Sequence, residues 1–124
     1  MRLVSDSFDT VEPETSSSGQ KAHPDLIEHS ARLEERVYSC GNDAWCYVGN
    51  GLSNQTFVRG PEGIIAIDSG ECVEEMLSAL LALREVTDQP VVACIYSHFH
   101  YVNGTQALYE DSGDDLSIYG HAGI

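Results

Sequence analysis

Residues 64–70 read Ile-Ile-Ala-Ile-Asp-Ser-Gly, and this stretch decides the fold class of the chain. Four consecutive apolar residues are typical of a strand that is covered on both faces, and the Asp-Ser-Gly run ends it. A helix is predicted from Glu71 to Val86, because apolar residues recur along one side of it. A second buried strand is predicted over 91–96. Strand, helix and strand in this order predict an α/β layer.

Shorter elements are predicted on either side of this layer. Two strands at 45–48 and 55–59 precede it, with the glycine-containing turn 49–51 between them and the turn 60–63 after them. A last strand is predicted at 116–119, after a solvated acidic loop.

The N-terminal residues have a different composition. Residues 1–23 are rich in Ser, Thr, Pro, Glu and Asp and are predicted to be a disordered acidic segment, because they bury too little apolar surface to offset their ordering entropy. One domain at most is expected, over 24–124. It begins with a helix that opens at Pro24 and has a stripe at helical spacing, formed by Leu26, Ile27, Ser30, Leu33 and Val37.

The chain is strongly acidic, with 20 Asp and Glu residues against 6 Lys and Arg residues and a formal net charge of −14. This charge argues against nucleic acid as a partner, because phosphate binding depends on clustered Lys and Arg. Self-repulsion on this scale opposes a compact state, and halophiles use such charge. A salt-adapted source is the favoured explanation, and an ordinary acidic protein is the alternative.

The cysteines and the lack of targeting signals predict a cytoplasmic protein. Residues 1–20 contain no apolar run typical of a secretory signal, and no stretch approaches the length of a membrane span. Reduced thiols are therefore expected. Cys40 and Cys46 could form a bridge or a metal pair, whereas Cys72 and Cys94 fall in apolar patterns and are predicted to be core residues.

Two histidines, His98 and His100, follow the second buried strand. Sites in open α/β sheets lie at the carboxyl ends of strands. In an extended chain, residues two apart face the same side, roughly 6–7 Å from each other, so that two imidazoles could bind one metal ion. The alternative is a pair of loop histidines that only make hydrogen bonds.

Several segments resemble the metallo-β-lactamase-fold hydrolases. Residues 64–70 resemble the strand that leads to the site in that family, and residues 95–104 (IYSHFHYVNG) resemble its HxHxDH segment. Other stretches resemble the beginning of the linear alkyl-sulfatase group, namely His23–Ser30, Arg36–Tyr38, Gly51–Asn54 and the turn through Gly63.

The resemblance implies an α/β fold that forms the first half of a metallo-β-lactamase-type αββα sandwich, with 24–124 as a partial domain.

The resemblance also implies a zinc site. His98 and His100 match the two histidines that hold the first ion. Asp68 matches a carboxylate that braces the site, the alternative being that it binds the metal directly. Val102 and Asn103 replace the Asp and the last His of the motif, which hold the second ion. One zinc site at most is therefore expected in this chain.

The implied function is hydrolysis of a small-molecule sulfate ester by metal-bound water. The family's other ligands lie downstream of Ile124, so that this chain alone is expected to be inactive. His121 could supply a third ligand, although a loop histidine is the simpler interpretation. The alternative function is a truncated, non-catalytic remnant or binding module. One sheet face would lack its second half, and self-association through that face is expected.

The charge predicts that salt stabilises the fold. At about 1 M salt the Debye length falls to ~3 Å, which screens the repulsion between surface carboxylates. Far-UV circular dichroism over a salt series should show secondary structure gained between low and high salt. An unchanged spectrum would contradict the halophilic interpretation.

Overall fold

A computed structural model describes residues 11–124 of the chain. The chain divides into two units, one that ends at Glu34 and one from Glu35 to Ile124. Within the described residues, none of the helices is long and apolar enough to cross a membrane.

The first unit contains a short hairpin where the sequence predicts disorder. β1 (Glu14–Thr15) pairs antiparallel with β2 (Lys21–Ala22), and backbone hydrogen bonds close the turn between them. The structure thus differs from the disorder predicted for 1–23, because local hydrogen bonds form this hairpin with almost no apolar burial. Residues 1–10 of the predicted segment lie outside the described part.

The first helix, α1 (Pro24–Arg32), begins where the sequence predicts. The Nδ1 atom of His23 caps it by accepting a hydrogen bond from the Asp25 amide at 3.2 Å. Proline suits the first helical position, because the amide it lacks would have no partner within the helix. The helix is shorter than its apolar stripe suggests, since Val37 lies in a strand of the second unit.

The second unit is built on one six-stranded sheet. In both chain order and spatial order the strands are β3 (Arg36–Ser39), β4 (Ala44–Val48), β5 (Gln55–Arg59), β6 (Ile64–Ile67), β7 (Val91–Ile95) and β8 (Ser117–Tyr119). The strands from β3 to β6 pair antiparallel, whereas β6–β7 and β7–β8 are parallel pairs. All except β3 are predicted from the sequence.

Two helices make the parallel connections. α2 (Val73–Arg84) joins β6 to β7, and α3 (Thr105–Ser112) joins β7 to β8. The sequence predicts α2 but not α3, and it assigns the acidic residues from Glu110 to Asp115 to a solvated loop that overlaps the end of α3. The loop assignment is wrong for Glu110 and Asp111, which lie in α3, and Asp111 forms an ion pair with Arg84 of α2. Asp114 and Asp115 are exposed and lie outside the helix, as predicted. Packing against α2 stabilises α3, and amino-acid composition does not reveal this packing.

One face of the sheet, together with the helices, forms the core. Its fully or largely buried apolar residues are Trp45, Tyr47, Phe57, Ile64, Ala66, Met76, Ala79, Leu80, Leu83, Val91, Cys94, Ala107, Leu108 and Leu116. Burial raises the pKa of the Cys94 thiol to about 12, and the charge of Asp68 adds to this effect. The prediction that Cys94 is a core residue is confirmed.

The opposite face, here called the open face, carries partly exposed apolar side chains. Because side chains alternate along a strand, the strand register assigns to it Thr56, Val58, Ile65, Ile67, Ala93, Ile95, Ser117 and Tyr119. Ile95 is 42% exposed and Tyr119 is 58% exposed. The apolar run of β6 predicts that both of its faces are covered. Among the described residues, only one face of β6 is covered.

All four cysteines are free. Cys40 is exposed and Cys46 is partly buried, and no bridge joins them. Cys72 is only partly buried, in contrast to the core position predicted, because it occupies the N-cap of α2.

Candidate functional site

Parallel pairing brings the predicted site residues to one edge of the sheet. Asp68 follows β6 directly, and the segment His98–His100 follows β7. The carboxyl ends of parallel neighbours lie at the same edge. The Asp68 amide extends the ladder by donating to the Ile95 carbonyl at 2.9 Å. The structure thus places Asp68 beside the loop that carries the histidines.

Asp68 has an unusual backbone conformation. It is buried, and its φ of 61° lies in the left-handed region, which aspartate tolerates better than most residues. Its carboxylate accepts two hydrogen bonds from one residue. Oδ1 accepts from the Ser97 amide and Oδ2 from the Ser97 hydroxyl, both at 2.7 Å. The carboxylate therefore holds the histidine loop through Ser97.

Ser97 links this carboxylate to the first histidine. Its Oγ lies 2.9 Å from Nδ1 of His98, so that Asp68, Ser97 and His98 form a continuous hydrogen-bonded chain. The sequence interpretation missed Ser97. The available signal was a hydroxyl residue directly before the first histidine of the pair.

The two histidines lie side by side, but not on an extended strand. His98 has an extended backbone, with φ −165°, and a 3₁₀ turn follows over Phe99–Tyr101. The ring centroids of His98 and His100 are 5.3 Å apart, and the ring planes meet at 67°. His100 is exposed and His98 is partly exposed. The turn therefore replaces the predicted extended spacing and still keeps the two imidazoles together.

Hydrogen bonds hold this turn in place. The Tyr101 carbonyl accepts from the Ser69 amide (2.8 Å) and from the Ser69 hydroxyl (3.1 Å). The Thr105 hydroxyl donates to the Val102 carbonyl at 2.6 Å and lies 2.5 Å from the Tyr96 hydroxyl. Because Thr105 donates its one proton to Val102, the Tyr96 hydroxyl is the donor to Thr105. Burial raises the pKa of Tyr96. These hydrogen bonds attach the turn to Ser69 and connect the residues before it with those after it.

Gly104 lies where two backbone segments meet. A Cβ atom at this position would be 1.8 Å from the Ser69 carbonyl oxygen and 2.8 Å from Cβ of Met76. Only glycine leaves room for this approach, which brings the start of α3 against the segment after β6.

The other residues considered as ligands do not complete a site. The Nδ1 atom of His121 accepts a hydrogen bond from the Gly123 amide at 3.0 Å. Asn103, which stands where the motif has its last histidine, is exposed. Among residues 11–124, no three His, Cys, Asp or Glu side chains are grouped so that they could hold a metal ion.

Comparison with known proteins relates this arrangement to a described fold. A stereoselective inverting sec-alkylsulfatase from Pseudomonas sp. superposes with a TM-score of 0.67 at 16% sequence identity, over 87% of this chain and 22% of that chain. A subclass B3 metallo-β-lactamase isolated from a soil metagenome library superposes with a TM-score of 0.55 at 21% identity, over 65% of this chain and 31% of that one. The chain has part of the metallo-β-lactamase fold. The predicted α/β architecture, the first half of that sandwich, is confirmed.

Sequence comparison adds an alkylsulfatase likeness to this metallo-β-lactamase fold. A linear primary-alkylsulfatase from Pseudomonas sp. (strain ATCC 19151) is 36% identical over 56 residues, which are 44% of this chain and 11% of that protein. No family model matches the chain. The chain is thus alkylsulfatase-like over the matched segment and spans about a tenth of the length of this curated relative.

Replacing Gly104 with alanine should destabilise the second unit. The added Cβ would overlap the Ser69 carbonyl, and overpacking of this kind costs about 1–3 kcal/mol or more. Gly120→Ala is the matched control, because its Cβ would meet nothing closer than 3.4 Å. Urea denaturation should show a lower midpoint for Gly104→Ala and little change for the control. Equal midpoints would contradict the close approach.

Proposed function

We propose that this chain provides part of the metal centre of a hydrolase with the metallo-β-lactamase fold, with His98 and His100 as two ligands of one zinc ion. The observation that carries the proposal is their arrangement at the end of β7. Their ring centroids are 5.3 Å apart, which suits two imidazoles that converge on one ion. Neither ring is buried, so that an ion can reach both.

The donors of this chain fit one incomplete site. A catalytic zinc ion usually has three protein ligands and a water molecule, and the described residues supply a pair. Val102 offers no side-chain ligand, and the amide of Asn103 is a poor zinc ligand beside imidazole. We therefore expect one zinc ion at most, held weakly, with Asp68 acting as a brace rather than as a ligand. When bound in a complete site, zinc would make water nucleophilic.

The proposed substrate class is a small-molecule sulfate ester. Its support is the sequence likeness to a linear primary-alkylsulfatase, which includes 44% of this chain. The second candidate is a non-catalytic binding module of the same fold, which the replacement of two motif positions by Val102 and Asn103 favours. Assays of alkyl sulfate hydrolysis with the chain alone, and with a longer protein that contains it, would separate these candidates.

Metal binding by the chain should depend on the two site histidines. Isothermal titration with zinc should give at most one weak site. His98→Ala or His100→Ala should abolish it, because each removes one of two ligands. His121→Ala is the matched control and should bind as the parent does. Acidification should release the ion, since protonated imidazole cannot ligate.

Two outcomes would overturn this proposal. One is tight binding of two zinc ions per chain. The other is unchanged zinc affinity after His98 and His100 have both been replaced, because the ion would then be held elsewhere.

We also propose that the chain associates with a second copy through the open face. That face is formed by uncharged residues, including Ile65, Ile67 and Ile95, in a chain with a net charge of −14. Charged residues are depleted from the cores of interfaces, and the carboxylates beside this face, Glu62 and Asp115, lie at its rim.

Sedimentation equilibrium at high salt tests this association. Ile95→Asp should shift the mass towards the monomer, because it places a charge in the centre of the open face. Leu81→Asp is the matched control, since Leu81 is 73% exposed on α2 and lies on the other side of the sheet. A parent chain that stays monomeric at all concentrations, or equal effects of the two variants, would contradict the proposal.

A further inference from the structure

The hydrogen bonds around Ser97 determine which nitrogen of His98 carries the proton. Both oxygens of the Asp68 carboxylate accept hydrogen bonds from Ser97, and the Ser97 hydroxyl donates its proton to Oδ2 at 2.7 Å. A hydroxyl has one proton to donate. At 2.9 Å from Nδ1 of His98, Ser97 Oγ can therefore only accept, and the neutral imidazole must supply the proton from Nδ1.

We infer that Ser97 is a positioning residue that holds His98 in the Nδ1–H tautomer and leaves Nε2 free as the ligating atom. This inference rests on the proposed function in one respect, namely that the ion bound by Nε2 is zinc. A hydrogen bond from the second ring nitrogen to a polar group fixes the orientation of a ligating histidine and raises its basicity.

The backbone supports this role for the Asp68–Ser97 pair. Asp68 keeps a left-handed conformation, φ 61°, which costs free energy for a residue other than glycine. The conformation is held by the Asp68 amide, which donates to the Ile95 carbonyl at 2.9 Å, and by both carboxylate oxygens. The left-handed backbone of Asp68 orients its carboxylate towards Ser97 rather than towards solvent.

Two other histidines of the chain provide internal references of the opposite tautomer. Nδ1 of His121 accepts from the Gly123 amide at 3.0 Å, and Nδ1 of His23 accepts from the Asp25 amide at 3.2 Å. A nitrogen that accepts carries no proton. In their neutral forms these two rings must therefore be protonated at Nε2, whereas His98 is protonated at Nδ1.

Long-range ¹H–¹⁵N spectra of the metal-free protein, recorded where imidazole is neutral, read these tautomers directly. His98 should show a protonated Nδ1, and His23 and His121 a protonated Nε2. Asp68→Asn should invert His98, because the new amide donates to Ser97 Oγ, which then donates to Nδ1. Asparagine also tolerates the left-handed backbone. A residue with only a structural role would not produce this inversion.

Variants at Ser97 complete the test. Ser97→Ala should remove the tautomer preference and lower zinc affinity by about 10- to 100-fold, whereas Ser97→Thr keeps a hydroxyl and should restore both. Ser112→Ala, at the end of α3, is the matched control and should change neither.

The outcomes separate this inference from the proposed function. An unprotonated Nδ1 in the parent chain, or a tautomer unchanged in Asp68→Asn and Ser97→Ala, would overturn the positioning role of Ser97. The expected tautomers without zinc binding would support that role and contradict the metal centre instead.

Discussion

The parallel pairing of β6 with β7 is the constraint on which the rest of the second unit depends. Two parallel strands cannot be joined by a tight turn, so that the chain must cross over through α2, and this crossover buries the apolar side of the helix on the sheet. The same pairing places the carboxyl ends of both strands at one edge. Asp68 and the His98–His100 loop meet there because the ladder continues from the Asp68 amide to the Ile95 carbonyl.

The site and the core therefore both follow from the pairing of β6 with β7, and the two faces of the resulting sheet differ. The covered face holds the apolar core and the neutral thiol of Cys94, whose pKa burial raises to about 12. The edge above it holds polar groups that are paired with one another: Asp68 with Ser97, and Ser69 with the Tyr101 carbonyl. The open face is apolar and only partly buried. Its strand residues from Thr56 to Tyr119 are uncharged, although the chain has a net charge of −14.

Much of the fold could be predicted from local patterns, and the failures have specific causes. The apolar run of β6 and the stripe of α2 are strong periodic signals. α3 was missed because the helix is short and its end runs into the acidic cluster Glu110–Asp115, while its burial depends on Arg84 and α2, which are distant in sequence. β3 was missed because Val37 also fits the helical spacing of α1. The likeness to the metallo-β-lactamase fold came from short motifs and is matched by the superposed structures.

The sequence by itself determined the α/β layer, the position of the histidine pair after a buried strand, and the departures at Val102 and Asn103 from the family motif. Only the tertiary structure decided that His100 lies in a 3₁₀ turn, that Gly104 contacts the segment after β6, and that Ser97 connects Asp68 to His98. The reason is physical. Periodicity encodes which side of an element is buried, whereas hydrogen bonds between residues about 30 positions apart depend on how the strands pair.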